Sequence, residues 1–163
     1  MMDVEYDQDN TDKQLASLRY QAMGLLARRE QSRSELQQKL QIKCLAKNWV
    51  VDLDHLLDEL ERQGLQSDER FAEVLVRSKA RDGYGVTRIF QWGHQYGLSR
   101  LLVQWQVDAQ QPDWFEIALA QKRKHCGWRV ATDAPARAKQ ARYLYQRGFA
   151  QEQIQYALQM QPE

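Results

Sequence analysis

Ser67-Asp68-Glu69-Arg70-Phe71-Ala72, followed further on by Gly83-Tyr84-Gly85-Val86-Thr87-Arg88-Ile89, is the stretch whose reading decides the fold. Ser67 supplies a side-chain acceptor for the orphan amides of a helix start, and Asp68 and Glu69 sit where the helix dipole favours acids. Phe71, Leu75 and Val76 then form an apolar stripe at helical spacing, with Arg70, Arg77 and Arg81 on more polar flanks. Gly83 and Gly85 permit backbone angles that a side chain would penalise, so a specified turn is expected there. A second helix follows, carrying Arg88 on its polar side and Ile89 on its apolar one. The pattern is helix, glycine break, cationic helix.

Outward from this segment the same grammar repeats. Leu15, Leu18, Ala22, Leu25 and Leu26 predict a helix from about Thr11 to Glu30, and Ser32 with Glu35 has capping-box spacing for a second. Asn48 is read as the start of a third, burying Leu53, Leu56, Leu57 and Leu60 and stopping at Gly64. Val86 to Tyr96 makes a fifth and Ser99 starts a sixth that ends before Pro112. Trp114 to Gly127, Asp133 to Gly148 and Gln151 to Met160 give three more. Gln63-Gly64-Leu65, Tyr96-Gly97-Leu98 and Arg147-Gly148-Phe149 share one ending: a glycine stops the helix and the next apolar residue folds back on its last turn. No segment alternates with a period of two. The expectation is an all-α chain of three-helix units, comprising an acidic disordered tail 1–12 and units 13–66, 67–112 and 113–163, in an elongated, curved array.

The bulk numbers bound the function. The 163 residues have a formal net charge of +1, but the charge is segregated. Residues 13–51 carry eight bases against two acids, residues 52–73 two against eight, and residues 113–148 eight against three. Local basic faces can therefore attract phosphates or acidic proteins although the net charge is near zero. Cys44 and Cys126 form no CxxC pair or disulfide framework, and no apolar run reaches the roughly 18 residues of a membrane span, so a cytoplasmic setting is expected.

Catalytic signatures are missing from the sequence. His55, His94 and His125 are isolated, no HExxH or Walker-type loop is present, and Gly83-Tyr84-Gly85 lacks the third glycine of a dinucleotide fingerprint. No metal, no cofactor and no enzyme activity is expected. Cationic positions are the better candidates: Arg28-Arg29, then Arg77, Lys79, Arg81 and Arg88, then Lys122-Arg123-Lys124. Guanidinium groups grip phosphate or carboxylate through a planar fork, so nucleic acid and an acidic protein groove are both open readings. Tyr84, between its two glycines, either projects to anchor a partner or packs on its own helices. Residues 77 and 81 share one side of their helix, which predicts a single face made with Arg88 around the turn. Phe71 and Ile89 are expected to hold the two helices together.

The order of these motifs resembles the RecX family of bacterial regulators of the RecA recombinase. The resemblance runs from about Ala22 to Leu158. It rests on Leu25-Leu26-Ala27-Arg28-Arg29 with Ser32, Ser34, Glu35-Leu36 and Lys39-Leu40, on the central segment, and on Arg142-Tyr143-Leu144 with Arg147-Gly148-Phe149 and Ile154. It implies tandem three-helix repeats and a monomer lying in the groove of the RecA filament on single-stranded DNA. It also implies suppression of ATP hydrolysis, strand exchange and repressor co-cleavage, with direct DNA binding in some members. Arg70 and Arg142 join the candidate contacts on the same ground. Two other roles stay open beside this one: a helical module acting directly on DNA, and an adaptor for some other acidic protein. One position departs from the family pattern. Where the family continues with Glu-Leu after Arg88-Ile89, this chain has Trp92-Gly93, and a glycine inside a helix costs about 1 kcal/mol against alanine.

Overall fold

The computed structural model describes residues 8–161, which among themselves hold nine α-helices and no strand. They are α1 (Gln8–Arg28), α2 (Arg33–Lys47), α3 (Leu53–Arg62), α4 (Asp68–Arg81), α5 (Val86–Gln95), α6 (Arg100–Gln110), α7 (Trp114–Cys126), α8 (Ala134–Gln146) and α9 (Gln151–Gln159). The chain falls into two compact units, Met1–Phe71 and Ala72–Glu163, with the division inside α4.

In the first unit, Leu18 and Ala22 of α1, Leu36, Leu40 and Cys44 of α2, and Leu53, Leu56, Leu57 and Leu60 of α3 make one buried cluster. The predicted stripes are the buried faces. Ser32 caps α2 by accepting from the Glu35 amide at 3.1 Å, and Ser67 caps α4 by accepting from the Arg70 amide at 3.2 Å. Two expectations need correction. Helix α1 starts at Gln8, so residues 8–12 of the expected tail are helical; residues 1–7 lie outside the described ones. Asn48 closes α2 instead of opening α3. It sits in the left-handed region at φ 54°, which asparagine tolerates, and the Trp49 amide donates to the Cys44 carbonyl at 2.9 Å. Asp52 is the cap of α3, accepting from the His55 amide at 3.1 Å.

The charge segregation in this unit resolves into internal pairs. Arg33, at the start of α2, reaches Asp58 at 2.8 Å and Glu61 at 3.1 Å, tying the basic α2 to the acidic α3. Arg29 grips the Glu35 carboxylate with both terminal nitrogens, and Lys39 adds a contact at 3.1 Å. Burial alone would raise the Glu35 carboxyl, but the hydrogen bonds and charges of Arg29 and Lys39 hold it below its ordinary value.

In the second unit, Ala118, Leu119, Leu144, Phe149, Ile154 and Ala157 form the buried cluster of α7, α8 and α9. Helices α5, α8 and α3 end as their sequences predict. The amides of Leu98, Phe149 and Leu65 donate back to the carbonyls of Gly93, Leu144 and Leu60 at 2.9, 3.2 and 2.9 Å. Tyr84 does the same to Lys79 at 3.0 Å, so α4 has this ending too.

The glycine that departs from the family pattern has a packing reason. Gly93 is buried, and a Cβ on it would stand 2.7 Å from Cγ2 of Val103 on α6. Helices α5 and α6 approach too closely for any side chain there. Gly93→Ala should therefore lower stability by about 1–3 kcal/mol despite alanine's better helix propensity, because Val103 is short, branched and itself buried. Adding Val103→Ala should recover part of the loss, as urea unfolding of the single and double variants will measure.

Candidate interaction surface

The second unit brings two turns together that are remote in sequence. The turn between α4 and α5 (residues 82–85) lies against the turn between α8 and α9 (residues 147–150). The Gly85 amide donates to the Arg147 carbonyl at 2.8 Å and the Thr87 amide to the Gly148 carbonyl at 3.2 Å. Arg147 returns the grip, donating through Nε to the Gly83 carbonyl at 3.1 Å and through Nη2 to the Asp82 carbonyl at 2.6 Å. Four hydrogen bonds thus clasp one turn to the other.

The glycines make the approach possible, though not all in the expected way. Gly83 has φ +85°, as a left-handed position requires, but Gly85 has φ −84°, an angle open to any residue. What Gly85 supplies is room: a Cβ there would overlap the Gly148 carbonyl and the Phe149 amide. Gly148, at φ +96°, is constrained twice, because its Cβ would also come within 2.5 Å of the Arg88 backbone nitrogen.

Above the clasp sits a cluster of cations and aromatic rings. Tyr84 is half-buried and meets Trp92 edge to face, with ring centroids 4.7 Å apart. The Arg147 guanidinium lies 3.7 Å from the Tyr84 centroid. Around Trp92 stand Lys79, its ammonium 4.4 Å from the ring centroid, and Arg88, its guanidinium 4.8 Å away. Arg88 also donates to the Gln91 side chain at 2.9 Å. The rings hold these cations without neutralising them. Among the described residues, none of Lys79, Arg88 and Arg147 is in an ion pair, so their charge stays available to an anionic partner. Tyr84 therefore packs within the fold and does not project from it.

The candidate residues separate clearly. Arg88 joins Lys79 across Trp92, while Arg77 is paired with Glu73 at 3.0 Å and Arg81 stands beside Asp82 at 3.8 Å. Arg81 and Lys124 line a groove of about 560 Å³ between the end of α4 and α7. Arg70 is structural, bonded to Glu30 at 2.9 Å and to the Gly64 carbonyl at 2.8 Å. Asp68 accepts from the Arg33 amide at 2.8 Å. Phe71 and Ile89 are both buried, at 6% and 0% exposure. Arg28, Lys124 and Arg142 are exposed, whereas Arg29 serves Glu35. Lys122 does not belong to a surface patch at all. It is fully buried, its ammonium donates to the Arg129 carbonyl at 2.9 Å, and burial pushes its pKa down. Arg123, next to it, lies 4.3 Å from the Trp128 ring centroid. Sequence reading passed over Arg147 and Trp92 as contributors. Arg147 stands there in a helix-ending motif that also carries part of the resemblance, and Trp92 as a departure from the family pattern, neither as a contact. Among the described residues, no three His, Cys, Asp or Glu side chains are grouped to hold a metal ion, and no helix is long and apolar enough to cross a membrane.

Comparison with known proteins bears on the chain as a whole. A family model described as "RecX, third three-helix domain" matches residues 112–158. The chain is 40% identical over 141 residues to the regulatory protein RecX of Acinetobacter baylyi, covering 86% of each. It is 37% identical over 145 residues to its counterpart in Chromohalobacter salexigens, covering 89% of this chain and 93% of that one. The crystal structure of RecX from Lactobacillus salivarius superposes with a TM-score of 0.73 at 16% identity, covering 91% of this chain and 96% of that one. That last likeness is one of fold.

The clasp makes Gly85 the most demanding position of the turn. Gly85→Ala should cost about 1–3 kcal/mol by overpacking, although its backbone angles suit alanine. Equilibrium unfolding will measure the cost. A loss of only a few tenths would mean that the two turns part readily.

Proposed function

The chain belongs to the RecX family of regulatory proteins, and from that premise we propose that it binds the RecA recombinase and restrains its filament on single-stranded DNA. The observation that carries this reading is the likeness to RecX proteins across more than four-fifths of the chain. The unpaired cations of Lys79, Arg88 and Arg147 support it, because they offer a preformed positive surface to an acidic protein groove or to a phosphate backbone. In this reading the protein acts in the cytoplasm as a monomer, without a cofactor and without chemistry of its own. It inhibits ATP hydrolysis, strand exchange and repressor co-cleavage by occupying the filament groove. Contact with several neighbouring protomers, through helical units strung along one chain, lets one regulator affect many subunits.

Lys79 and Arg88 are the residues assigned to the partner. Each cation–ring contact is worth about 0.5–1 kcal/mol at an exposed site, so replacing both cations costs the fold little. Losing a charged contact at an interface centre costs the complex more. A titration into the single-stranded-DNA-dependent RecA ATPase is therefore expected to show inhibition well below one chain per RecA protomer. The Lys79→Gln, Arg88→Gln double variant should need at least about tenfold more protein while its thermal midpoint moves by a few degrees at most. An ATPase unaffected at saturating wild-type protein would remove the RecA reading. An unaltered curve for the double variant would move the contact to another surface.

A further inference from the structure

The loop between α7 and α8 (residues 127–133) carries a feature that the surface above Gly85 does not absorb. Trp128 is 59% exposed, yet its ring is not loose. The Arg123 guanidinium lies 4.3 Å from the ring centroid, and its buried Nε has no hydrogen-bond partner among the described residues. The indole is thereby backed by a cation while more than half of the residue stays open to solvent. The loop beneath it is pinned. Lys122, a fully buried lysine, spends its ammonium on the carbonyl of Arg129, the residue next to Trp128. Burying a lysine is costly, and the return here is a fixed loop.

The electrostatic setting has one sign. Between residues 117 and 151 there are eight bases and a single acid, Asp133, whose carboxylate is spent on the Ala136 amide at 2.7 Å as the cap of α8. Lys124, four residues before Trp128, and Arg129, the residue after it, are both exposed. The contrast with Trp105 is instructive. That residue, 58% exposed on α6, has Leu101 as its exposed neighbour one turn away, an apolar setting of the kind proteins present to proteins. Trp128 instead offers an exposed ring backed by the Arg123 guanidinium, in a segment with eight bases and one acid. That is the combination a nucleobase and its flanking phosphates require.

We infer that Trp128 is a stacking platform for one unpaired base of a single-stranded nucleic acid, with Lys124 and Arg129 holding the adjoining phosphates. The pinned loop means that little freedom is lost when the base docks. The site lies apart in sequence from Lys79 and Arg88 and does not depend on RecA, so it stands or falls independently of the reading proposed above.

The test uses the full chain with no RecA present, titrated against a dye-labelled oligothymidylate and against the same strand with abasic sites. Trp128→Ala should weaken binding to thymidylate roughly five- to a hundredfold, the loss of one stacked base, while Trp128→Phe keeps most of the affinity. Both variants should match the wild type on the abasic strand, and the salt dependence should keep its slope because no phosphate contact is lost. A wild-type chain that fails to bind thymidylate overturns the inference. So does an unchanged affinity in Trp128→Ala, or an equal loss on the abasic strand. Quenching of Trp128 by an acidic peptide but not by thymidylate would overturn it too and assign the platform to a protein partner.

Discussion

The hydrogen bond from the Gly85 amide to the Arg147 carbonyl, 2.8 Å long, joins residues 62 positions apart, and the arrangement of the second unit's cations depends on it. It exists only because neither Gly85 nor Gly148 has a side chain to hold the two backbones apart. Once the turns are in contact, Arg147 is near enough to donate to the carbonyls of Asp82 and Gly83 and to lie on Tyr84. Tyr84 in turn presses its ring against Trp92, which gathers Lys79 and Arg88. A backbone constraint thus becomes an electrostatic one. The charges stand on aromatic faces instead of on carboxylates, so they remain uncompensated for a partner.

The two units treat charge in opposite ways, and this separates structural cations from candidate contacts. In the first, Arg33 binds the acids of α3 and Arg29 and Lys39 bind Glu35, so its basic and acidic runs largely cancel. In the second, the basic stretch around α7 and α8 has almost no acid to meet, and its cations sit on rings, on backbone carbonyls or in solvent. Under the function proposed above, fields of the second kind are the ones an anionic partner would meet. The near-zero net charge of the chain hides the difference.

Much of the fold was legible because helix signals are local. Ser32, Ser67, Ser99 and Asp133 announced helix starts within three residues of the amides they cap, and the Gly-apolar endings fixed the stops. Asn48 was misread because asparagine serves both ends of a helix, and only the following chain path selects the left-handed one. The candidate surface was half legible. Arg88 and Tyr84 were visible in the motif, but grouping Arg88 with Arg77 and Arg81 relied on spacing along one helix. The observed grouping with Lys79 and Arg147 arises across three elements. Lys122 was misplaced for a related reason: a lysine in a basic run reads as surface, and its burial is decided by a carbonyl seven residues away. The Trp92-Gly93 departure is explained by α6, through Val103, and by the cations that the indole holds.

The measurement that bears most directly on this account is native-state hydrogen exchange at the Gly85 and Thr87 amides, in the wild type and in Arg147→Gln. If the clasp organises the second unit, both amides will be protected to nearly the level of the α7 core amides, although Gly85 lies in a turn and Thr87 in the first turn of a helix. They will lose most of that protection together when Arg147 is replaced. Exchange at the rate of an open turn in the wild type, or protection that survives the substitution intact, would contradict the claim that the two turns hold the cationic surface in place.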